Sequence, residues 1–294
     1  MKVVNLTYSD YSNFAYMNCQ ALRAVGIDCY ALTATEHKFN YANSSTLTSY
    51  EKMNEFCKDA DLIQIFHSSE LLYKNITLKG KRVFVYHTGT PYRMEPKRMN
   101  ELWNPVVERV FIDSPEFYIL GGKNVTYIAT AIDTSKIPYS PSGNKKIVFG
   151  HYPSIPEVKG TDKIVEMMRK HRVKFNYSVH RVASEENLKR MKFCDVYIEL
   201  FAPMQGEKIY GSFGVTAFEA SAMGKQVITN SVIHQVYTHT YGSDELLIAN
   251  TEQEFHSAIE RARSFNPNDG ERIRQWIEDK HSLKATGEYL SGFL

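Results

Sequence analysis

Short apolar runs alternate with amphipathic segments along the chain, and the first half opens with a strand, a helix and a second strand. Residues 3–6 form an apolar run, residues 14–25 have the spacing of an amphipathic helix that ends at Gly26, and residues 29–33 are apolar again. This order is the βαβ unit of a parallel sheet. We predict a doubly wound α/β domain over the first half, with further strands at 62–66, 83–86, 109–112 and 125–128 and helices at 49–58 and 115–120.

The same alternation resumes after a turn-rich segment at 138–144, which has no apolar period. Strands are predicted at 146–150, 174–179, 196–200, 227–228 and 246–249, and helices at 184–191, 215–223, 252–264 and 270–293. A further helix ends at His171 with Thr161 or Asp162 as its cap, and residues 201–210 are predicted as a loop. We therefore expect an α/β protein with two facing Rossmann-like domains, residues 1–138 and 145–270, and a ligand cleft between them. A last helix, about 271–294, returns to the first domain.

Composition narrows the class of protein. Among 294 residues, Lys and Arg number 35 against 33 Asp and Glu, so the net charge of +2 gives no argument for a polyanionic partner. The four cysteines show no CxxC pair or metal spacing, as in a cytoplasmic protein with reduced thiols. The first residues lack the apolar run of a signal peptide, and no segment reaches the roughly 18 to 20 apolar residues of a membrane span. We expect a cytoplasmic protein without a transmembrane segment.

The segment from Tyr210 to Thr229 carries the strongest ligand signal. Gly211 and Gly214 precede a predicted helix, and glycines there let backbone N–H groups approach an anion at the positive end of the helix. Glu219 lies one turn into that helix, where its carboxylate could accept hydrogen bonds from sugar hydroxyls. The alternative is a tight turn followed by a surface glutamate. Together, the features favour a ligand site.

Polar residues also follow the predicted strands of the first half. In open α/β sheets, ligands bind beyond the carboxyl ends of the strands. A single histidine there is more often structural, but two at equivalent positions are harder to dismiss. The residues at such ends are Ser9, Asp10, Ser12, Asn13, His67 and His87. Arg93 lies in the segment that follows His87, and Ser12, Asn13, His67 and Arg93 are the cleft candidates.

Four segments resemble a known family. They are a KG-x-D segment at 159–162, a G-x-FG-x(4)-EA-x-AxGKxVI segment at 211–228, a turn at 87–90 that is similar to HG-x-D, and a (N/G)-x-(V/I)-D segment at 131–134. With them, nearly the whole chain resembles a GT-B fold glycosyltransferase and is most similar to glycosyltransferase family 4. Enzymes of that family are retaining and use nucleotide-sugar donors.

The resemblance implies roles for individual residues. Glu219 would bind the ribose of the donor, and Lys159 would neutralise its diphosphate. His87 would face the donor sugar, so that His87 and Lys159 are the catalytic candidates. Ser12 and Asn13 would line the cleft, with His67 and Arg93 on the acceptor side. The remaining donor-binding candidates are His151, Gly211, Ser212, Phe213, Gly214 and Val215.

The implied reaction moves a sugar, a hexose by expectation, from a UDP- or GDP-sugar to an acceptor hydroxyl. Retention of configuration is expected from the family, and no carboxylate cluster of the sequence resembles a metal site. No permanently bound cofactor is expected. The acceptor is open: a glycan, a lipid-linked or small molecule, or less readily DNA.

Three positions depart from the family pattern. Gly211 stands where the family has the first glutamate of an E-x7-E pair, His151 stands where an arginine is common, and Thr90 replaces an aspartate. Glu207 is nearby but out of register. Two alternatives stay open. One is a glycosyltransferase acting on hydroxymethyl-pyrimidine-type DNA bases, with a basic groove from Lys79, Lys81, Arg82, Arg93, Lys97 and Arg98. The other is a sugar-nucleotide-binding protein without catalytic activity.

Overall fold

The computed structural model describes residues 1–37, 39, 41–211 and 213–294. The chain divides into two compact units. Unit 1 comprises Met1–Ala131 and His281–Leu294, and unit 2 comprises Ile132–Lys280. Each unit is a parallel sheet with helices packed against it, and each has its own apolar core.

Unit 1 is organised by a seven-stranded sheet in which every paired strand is parallel. Its strands are β1 (Lys2–Ser9), β2 (Asp28–Thr35), β3 (Thr46–Leu47), β4 (Leu62–Phe66), β5 (Arg82–His87), β6 (Arg109–Ile112) and β7 (Thr126–Tyr127). They lie in the order β3-β2-β1-β4-β5-β6-β7. All five residues of β4 are buried, which is the pattern of a strand covered on both faces. The strands predicted for this half are present, and β3 is an additional one.

The helices of unit 1 connect these strands. They are α1 (Phe14–Ala24), α2 (Tyr50–Cys57), α3 (Glu70–Asn75), α4 (Gly89–Met94) and α5 (Pro96–Trp103). The carboxylate of Asp10 accepts hydrogen bonds from Ala15 N at 2.8 Å and Tyr16 N at 3.0 Å, and it thereby satisfies two free amides at the start of α1. The sequence pattern predicted α1 and α2 but missed α3, α4 and α5. The segment predicted as a helix at 115–120 is a 3₁₀ helix, Pro115–Ile119.

Unit 2 has a smaller parallel sheet with five strands in the order β14-β13-β10-β8-β9. The strands are β8 (Val148–His151), β9 (Lys174–Tyr177), β10 (Val196–Ile198), β13 (Gln226–Thr229) and β14 (Leu246–Ile248). Between β10 and β13, β11 (Met204–Gln205) and β12 (Lys208–Ile209) form an antiparallel hairpin. The prediction of a loop at 201–210 therefore missed a hairpin.

The helices of unit 2 are α6 (Pro156–Lys159), α7 (Thr161–His171), α8 (Ser184–Met191), α9 (Val215–Ala222), α10 (Gln235–Tyr241), α11 (Glu252–Arg263) and α12 (Gly270–His281). The N-cap of α7 is Gly160 in the left-handed conformation, with φ of 68°. The expectation that Thr161 or Asp162 caps this helix is wrong, because Thr161 is its first helical residue and its hydroxyl is bonded to a histidine described below.

The predicted last helix is two helices. After α12 ends, Ser282 caps α13 (Leu283–Ser291) by accepting a hydrogen bond from Ala285 N at 3.2 Å. Helix α13 belongs to unit 1, where Leu290 is buried in the core and Tyr289 Oη donates to Tyr127 O at 3.2 Å. The expected return of the C-terminus to the first domain is confirmed.

Within the described residues, none of the helices is both long and apolar enough to cross a membrane.

Candidate functional site

The start of helix α9 has backbone donors without a side-chain cap. The helix begins directly after Gly214, which as a glycine has no side chain that could cap it. The first turn of a helix leaves backbone N–H groups without an intrahelical partner and carries about half a positive charge. This end of α9 therefore has the donors and the field that an anion requires.

Glu219 lies four residues after Val215 and hence on the same face of α9. Its side chain is half-buried, and no partner for its carboxyl group is found among the residues that the structure describes. Burial raises the pKa of Glu219 to about 8. A desolvated carboxyl group without a protein partner has unused hydrogen-bonding capacity, which a ligand with hydroxyl groups can satisfy.

Lys159, the last residue of α6, forms an ion pair with Glu199, which follows β10. Glu199 is 1% exposed. Its Oε1 also accepts from Thr216 Oγ1 at 3.4 Å, and its Oε2 accepts from Thr229 Oγ1 at 3.0 Å. Burial opposes the charged form of Lys159, but the negative charge of Glu199 outweighs it and holds the pKa of Lys159 above its ordinary value. Lys159, the residue predicted to bind the phosphates, is thus a cation that already has a counter-ion within the protein.

Two glycines of the segment lie close to neighbouring groups. A Cβ at Gly214 would lie 3.0 Å from Glu199 Oε1 and 3.2 Å from Lys159 Nζ. A Cβ at Gly211 would lie 2.7 Å from both the backbone nitrogen and the carbonyl oxygen of Val232. The backbone packing at position 211 therefore excludes the glutamate that the family pattern has there.

The other residues predicted near this site differ in how far they are buried. Phe213 is buried, with its ring 5.3 Å from that of Phe218 and 5.5 Å from that of Tyr237. Val215 is the first residue of α9 and half-buried. Ser212 lies outside the described residues. Glu207 is exposed in the turn between β11 and β12.

His151 is fully buried at the end of β8, and both of its ring nitrogens are occupied. Nδ1 is 2.8 Å from Ile198 O, and Nε2 is 2.9 Å from Thr161 Oγ1. Because a carbonyl oxygen only accepts, Nδ1 carries the proton and Nε2 accepts from the hydroxyl. Burial lowers the pKa of His151 to about 4. The ring is therefore neutral and joins the start of α7 to the end of β10.

The segment after β13 is hydrogen-bonded to the loop that precedes α9. Asn230 is fully buried, accepts from Ala202 N at 2.8 Å and donates to Tyr210 O at 2.7 Å, so it ties together both ends of the loop that carries the hairpin. Ile233 has φ of 60°, which is unusual for a β-branched residue. Such strain is found preferentially at functional sites.

In unit 1, His87 lies fully buried at the end of β5. Its Nδ1 is 2.5 Å from Ser68 Oγ, and its ring stacks on Tyr92 with centroids 4.0 Å apart. Burial lowers the pKa of His87 to about 3. The ring is therefore neutral and is held by α4 and by the segment after β4.

His67 lies at the adjacent strand end with φ of 63°. Its Nδ1 is 2.5 Å from Thr88 Oγ1, and its Nε2 is 3.8 Å from Asp10 Oδ1. Asn13 is buried, with its amide nitrogen donating to Asn43 O at 2.8 Å, whereas Ser12 is exposed. The structure thus brings His67, His87 and Asn13 to one edge of the sheet.

Arg93 is paired with Glu116, and both side chains are 3% exposed. Asp113, at the end of β6, is half-buried, and burial raises its pKa to about 6. It accepts a hydrogen bond from Ser114 Oγ at 2.9 Å. Arg93 is therefore part of a buried charge network and not an isolated cation.

Sequence reasoning missed Glu199, Asn230 and Asp113. Glu199 had a usable signal, because a charged residue inside an apolar run is expensive to bury and requires a partner. Asp113 directly follows a predicted strand and satisfies the same strand-end rule as His67. In the described part of the chain, no group of three or more His, Cys, Asp and Glu side chains is arranged to hold a metal ion.

No protein-family model and no curated protein matches this sequence. Solved structures do match. AviGT4, a glycosyltransferase involved in avilamycin A biosynthesis, is 11% identical with a TM-score of 0.63, over 99% of this chain and 96% of that one. The catalytic domain of starch synthase IV from Arabidopsis thaliana, bound to ADP and acarbose, is 10% identical with a TM-score of 0.63, over 99% and 98%.

The spinosyn rhamnosyltransferase SpnG in complex with thymidine diphosphate is 12% identical with a TM-score of 0.51, over 99% of this chain and 100% of that one. At such identities the likeness concerns the fold. Two units with parallel sheets and a C-terminal helix in the first unit agree with it. The chain therefore has the GT-B fold, with two Rossmann-like domains.

Proposed function

We propose that this protein is a glycosyltransferase that transfers a sugar from a nucleoside-diphosphate sugar to an acceptor hydroxyl. The observation that carries the proposal is the half-buried, unpartnered carboxyl group of Glu219 beside the uncapped start of α9. A ribose offers hydroxyl donors for the first, and a diphosphate offers negative charge for the second. A nucleoside diphosphate satisfies both at once.

In this proposal the leaving diphosphate is stabilised by two groups. The backbone N–H groups at the start of α9 donate to it, and Lys159 contributes further N–H donors and positive charge. Preorganised donors of this kind stabilise developing charge in the transition state. His151 has no free nitrogen, so we assign it the role of holding the start of α7 against β10.

We propose that residues 145–270 bind the donor and residues 1–138 the acceptor. Four buried polar atoms near the carboxyl edge of the unit 1 sheet have no hydrogen-bond partner among the described residues: Asn13 Oδ1, His67 Nε2, His87 Nε2 and Glu116 Oε2. Unsatisfied buried groups are uncommon and point to a missing ligand or water. Because Tyr92 covers the ring of His87, we assign His87 the role of orienting Ser68 and helix α4. Ser12, Asn13 and His67 are the residues that we place closer to an acceptor.

Starch synthase IV bound to ADP and SpnG bound to thymidine diphosphate are consistent with a nucleotide site on this fold. The family resemblance supports a hexose donor, a UDP- or GDP-sugar, retention of configuration and catalysis without a metal. Product NMR after transfer tests retention, since an inverted anomeric centre would contradict it.

The DNA-base alternative requires free basic groups on unit 1. Of the six residues expected to form its groove, four are ion-paired: Arg82 with Glu108, Arg93 with Glu116, Lys97 with Glu101, and Arg98 with Glu70 and Glu95. Lys81 donates to Lys58 O at 2.5 Å. This pairing leaves little uncompensated positive charge for phosphates, so we favour a non-DNA acceptor.

The test of the proposal is donor turnover. The protein is incubated separately with UDP-, GDP-, ADP- and TDP-hexoses, and release of the nucleoside diphosphate is measured with and without candidate acceptors. We expect release from one donor and its loss in Glu219→Gln. Binding without release from any donor would support the non-catalytic alternative, and absence of both would refute the proposal. Retarded migration of duplex DNA at ~150 mM salt would revive the DNA alternative.

A further inference from the structure

The ion pair of Lys159 and Glu199 touches the residue that starts helix α9. A Cβ at Gly214 would lie 3.0 Å from Glu199 Oε1 and 3.2 Å from Lys159 Nζ. Glu199 is buried, with 1% of its surface exposed, whereas the Lys159 side chain is 15% exposed. The carboxylate therefore belongs to the interior, and the ammonium borders the position where an anion would sit.

The two partners differ in how fully they are engaged. Glu199 binds Lys159 and Thr216 through Oε1 and binds Thr229 through Oε2. An ammonium has three N–H donors, and Glu199 is the one hydrogen-bond partner of Lys159 Nζ in the described part of the chain. Two donors of Lys159 thus remain for another acceptor.

Stability does not explain this arrangement. The cost of desolvating two charges roughly offsets their attraction, and apolar replacements of buried pairs are often neutral or stabilising. A retained buried carboxylate with two hydroxyl donors is better explained by what it does to the lysine.

We propose that Glu199 is a positioning residue for phosphate binding, which holds the Lys159 ammonium charged and in place beneath Gly214. The two remaining donors of Lys159 then serve an anion at the start of α9. This inference rests on the proposed donor site and adds to it a residue that is itself out of reach of the ligand.

Removing the carboxylate has two opposing effects on an anionic ligand. It relieves repulsion between Glu199 and the anion, which strengthens binding. It also leaves Lys159 buried without a counter-ion, so that the lysine loses its proton at lower pH and binding weakens as pH rises. Only the second effect follows from holding the lysine charged, and its signature is a pH dependence.

Other titratable groups face Lys159 or the same site. Tyr210 contributes to the field at Lys159, His151 is neutral above its pKa of about 4, and Glu219 titrates near pH 8. All three are present in both the wild type and a Glu199 variant. The ratio of the two dissociation constants, followed against pH, therefore cancels their contributions.

The experiment measures binding of ADP, UDP, GDP and TDP by calorimetry at pH 7, 8 and 9. We expect the ratio of Kd for Glu199→Gln to Kd for the wild type to rise roughly tenfold from pH 7 to pH 9. We expect no such rise when Glu199→Gln is introduced into the Lys159→Met variant and the ratio is taken against Lys159→Met alone. The control is Asp195→Asn at the other end of β10, a buried acid that accepts from Val148 N at 2.9 Å, for which the ratio stays flat.

A ratio for Glu199→Gln that is flat with pH, or the same rise in Lys159→Met, overturns the inference while the donor site stands. A wild type that binds none of the four nucleotides overturns both. Thr229→Val is a second variant that keeps both charges and removes one hydrogen bond to Glu199. It is expected to bind more weakly by the same factor at every pH, and unchanged binding would also contradict the positioning role.

Discussion

Gly211 lies against Val232 so closely that a Cβ at position 211 would be 2.7 Å from the Val232 nitrogen and 2.7 Å from its carbonyl oxygen. The contact is with backbone atoms, which cannot rotate away as a side chain can. The absence of a glutamate at position 211 is therefore built into the packing of the segment after β13.

Gly211→Ala is expected to destabilise the protein by roughly 1–3 kcal/mol, because the added methyl group overpacks a rigid neighbour. Chemical denaturation measures the change. The control is Gly292→Ala, where φ is −64° and the new Cβ would be 3.4 Å from Tyr289 O, so little loss is expected. Equal stability of both variants would contradict the close contact.

Glu219→Gln is expected to weaken nucleoside-diphosphate binding by roughly tenfold to a hundredfold at pH 8, the value of a hydrogen bond to a charged group. The wild-type carboxyl group, with its pKa of about 8, must lose a proton to become the better acceptor. Affinity of the wild type should therefore rise with pH up to about 8 and then level off. Calorimetry over pH 6–9 should show no such rise in the variant, and parallel curves would remove Glu219 from the site.

The same substitution is expected to stabilise the empty protein. The pKa of Glu219 is raised from 4.5 to about 8 in the folded chain, so the folded state binds more protons between these values and stability falls as pH rises. Glu219→Gln removes this cost, which should be on the order of a few kcal/mol above pH 8 and absent below pH 4.5. Denaturation at pH 5 and pH 8.5 measures the difference. A loss of stability in the variant would show that the carboxylate has a protein partner.

Lys159→Ala is expected to lower stability by roughly 3–5 kcal/mol at pH 8, because it leaves the buried carboxylate of Glu199 without its counter-ion. The unpaired carboxyl group should then take up a proton more readily, so the loss should shrink at pH 5. Denaturation at the two pH values tests this. The Lys159→Ala and Glu199→Gln double variant serves as the control and should lose less stability at pH 8 than Lys159→Ala alone.

Acid is expected to destabilise both units through their buried histidines. The pKa of His151 is lowered from 6.5 to about 4 and that of His87 from 6.5 to about 3. In each case the unfolded chain binds the proton first, so stability is complete above pH 6.5 and is lost as pH falls. Each histidine should contribute about 2 kcal/mol of loss between pH 6.5 and pH 5. An unchanged free energy of unfolding over that range would contradict the neutral, buried state of both rings.

The sequence pattern predicted the sheets because apolar runs bounded by polar turns mark parallel strands buried on both faces. It drew attention to Gly214 and Glu219 because a glycine-led helix start has recognisable chemistry, whereas the role of Lys159 came from the family resemblance. It missed α3 and α4, since helices of six residues contain too few positions to show a period.

The partners of the site residues could not be predicted. Glu199 and Lys159 are 40 residues apart in sequence, and Gly211 meets Val232 through a backbone contact that no local pattern records. These long-range contacts decide that Lys159 is paired with Glu199, that position 211 has no room for a side chain, and that His151 is held by Ile198 and Thr161.

The most direct measurement is a crystal structure of the protein with whichever of ADP, UDP, GDP or TDP stabilises it in a thermal-shift screen. The account predicts the ribose hydroxyls within hydrogen-bonding distance of the Glu219 carboxylate and the diphosphate at the start of α9, bonded to Lys159. A nucleotide bound elsewhere on the chain, with Glu219 still unpartnered, would contradict it.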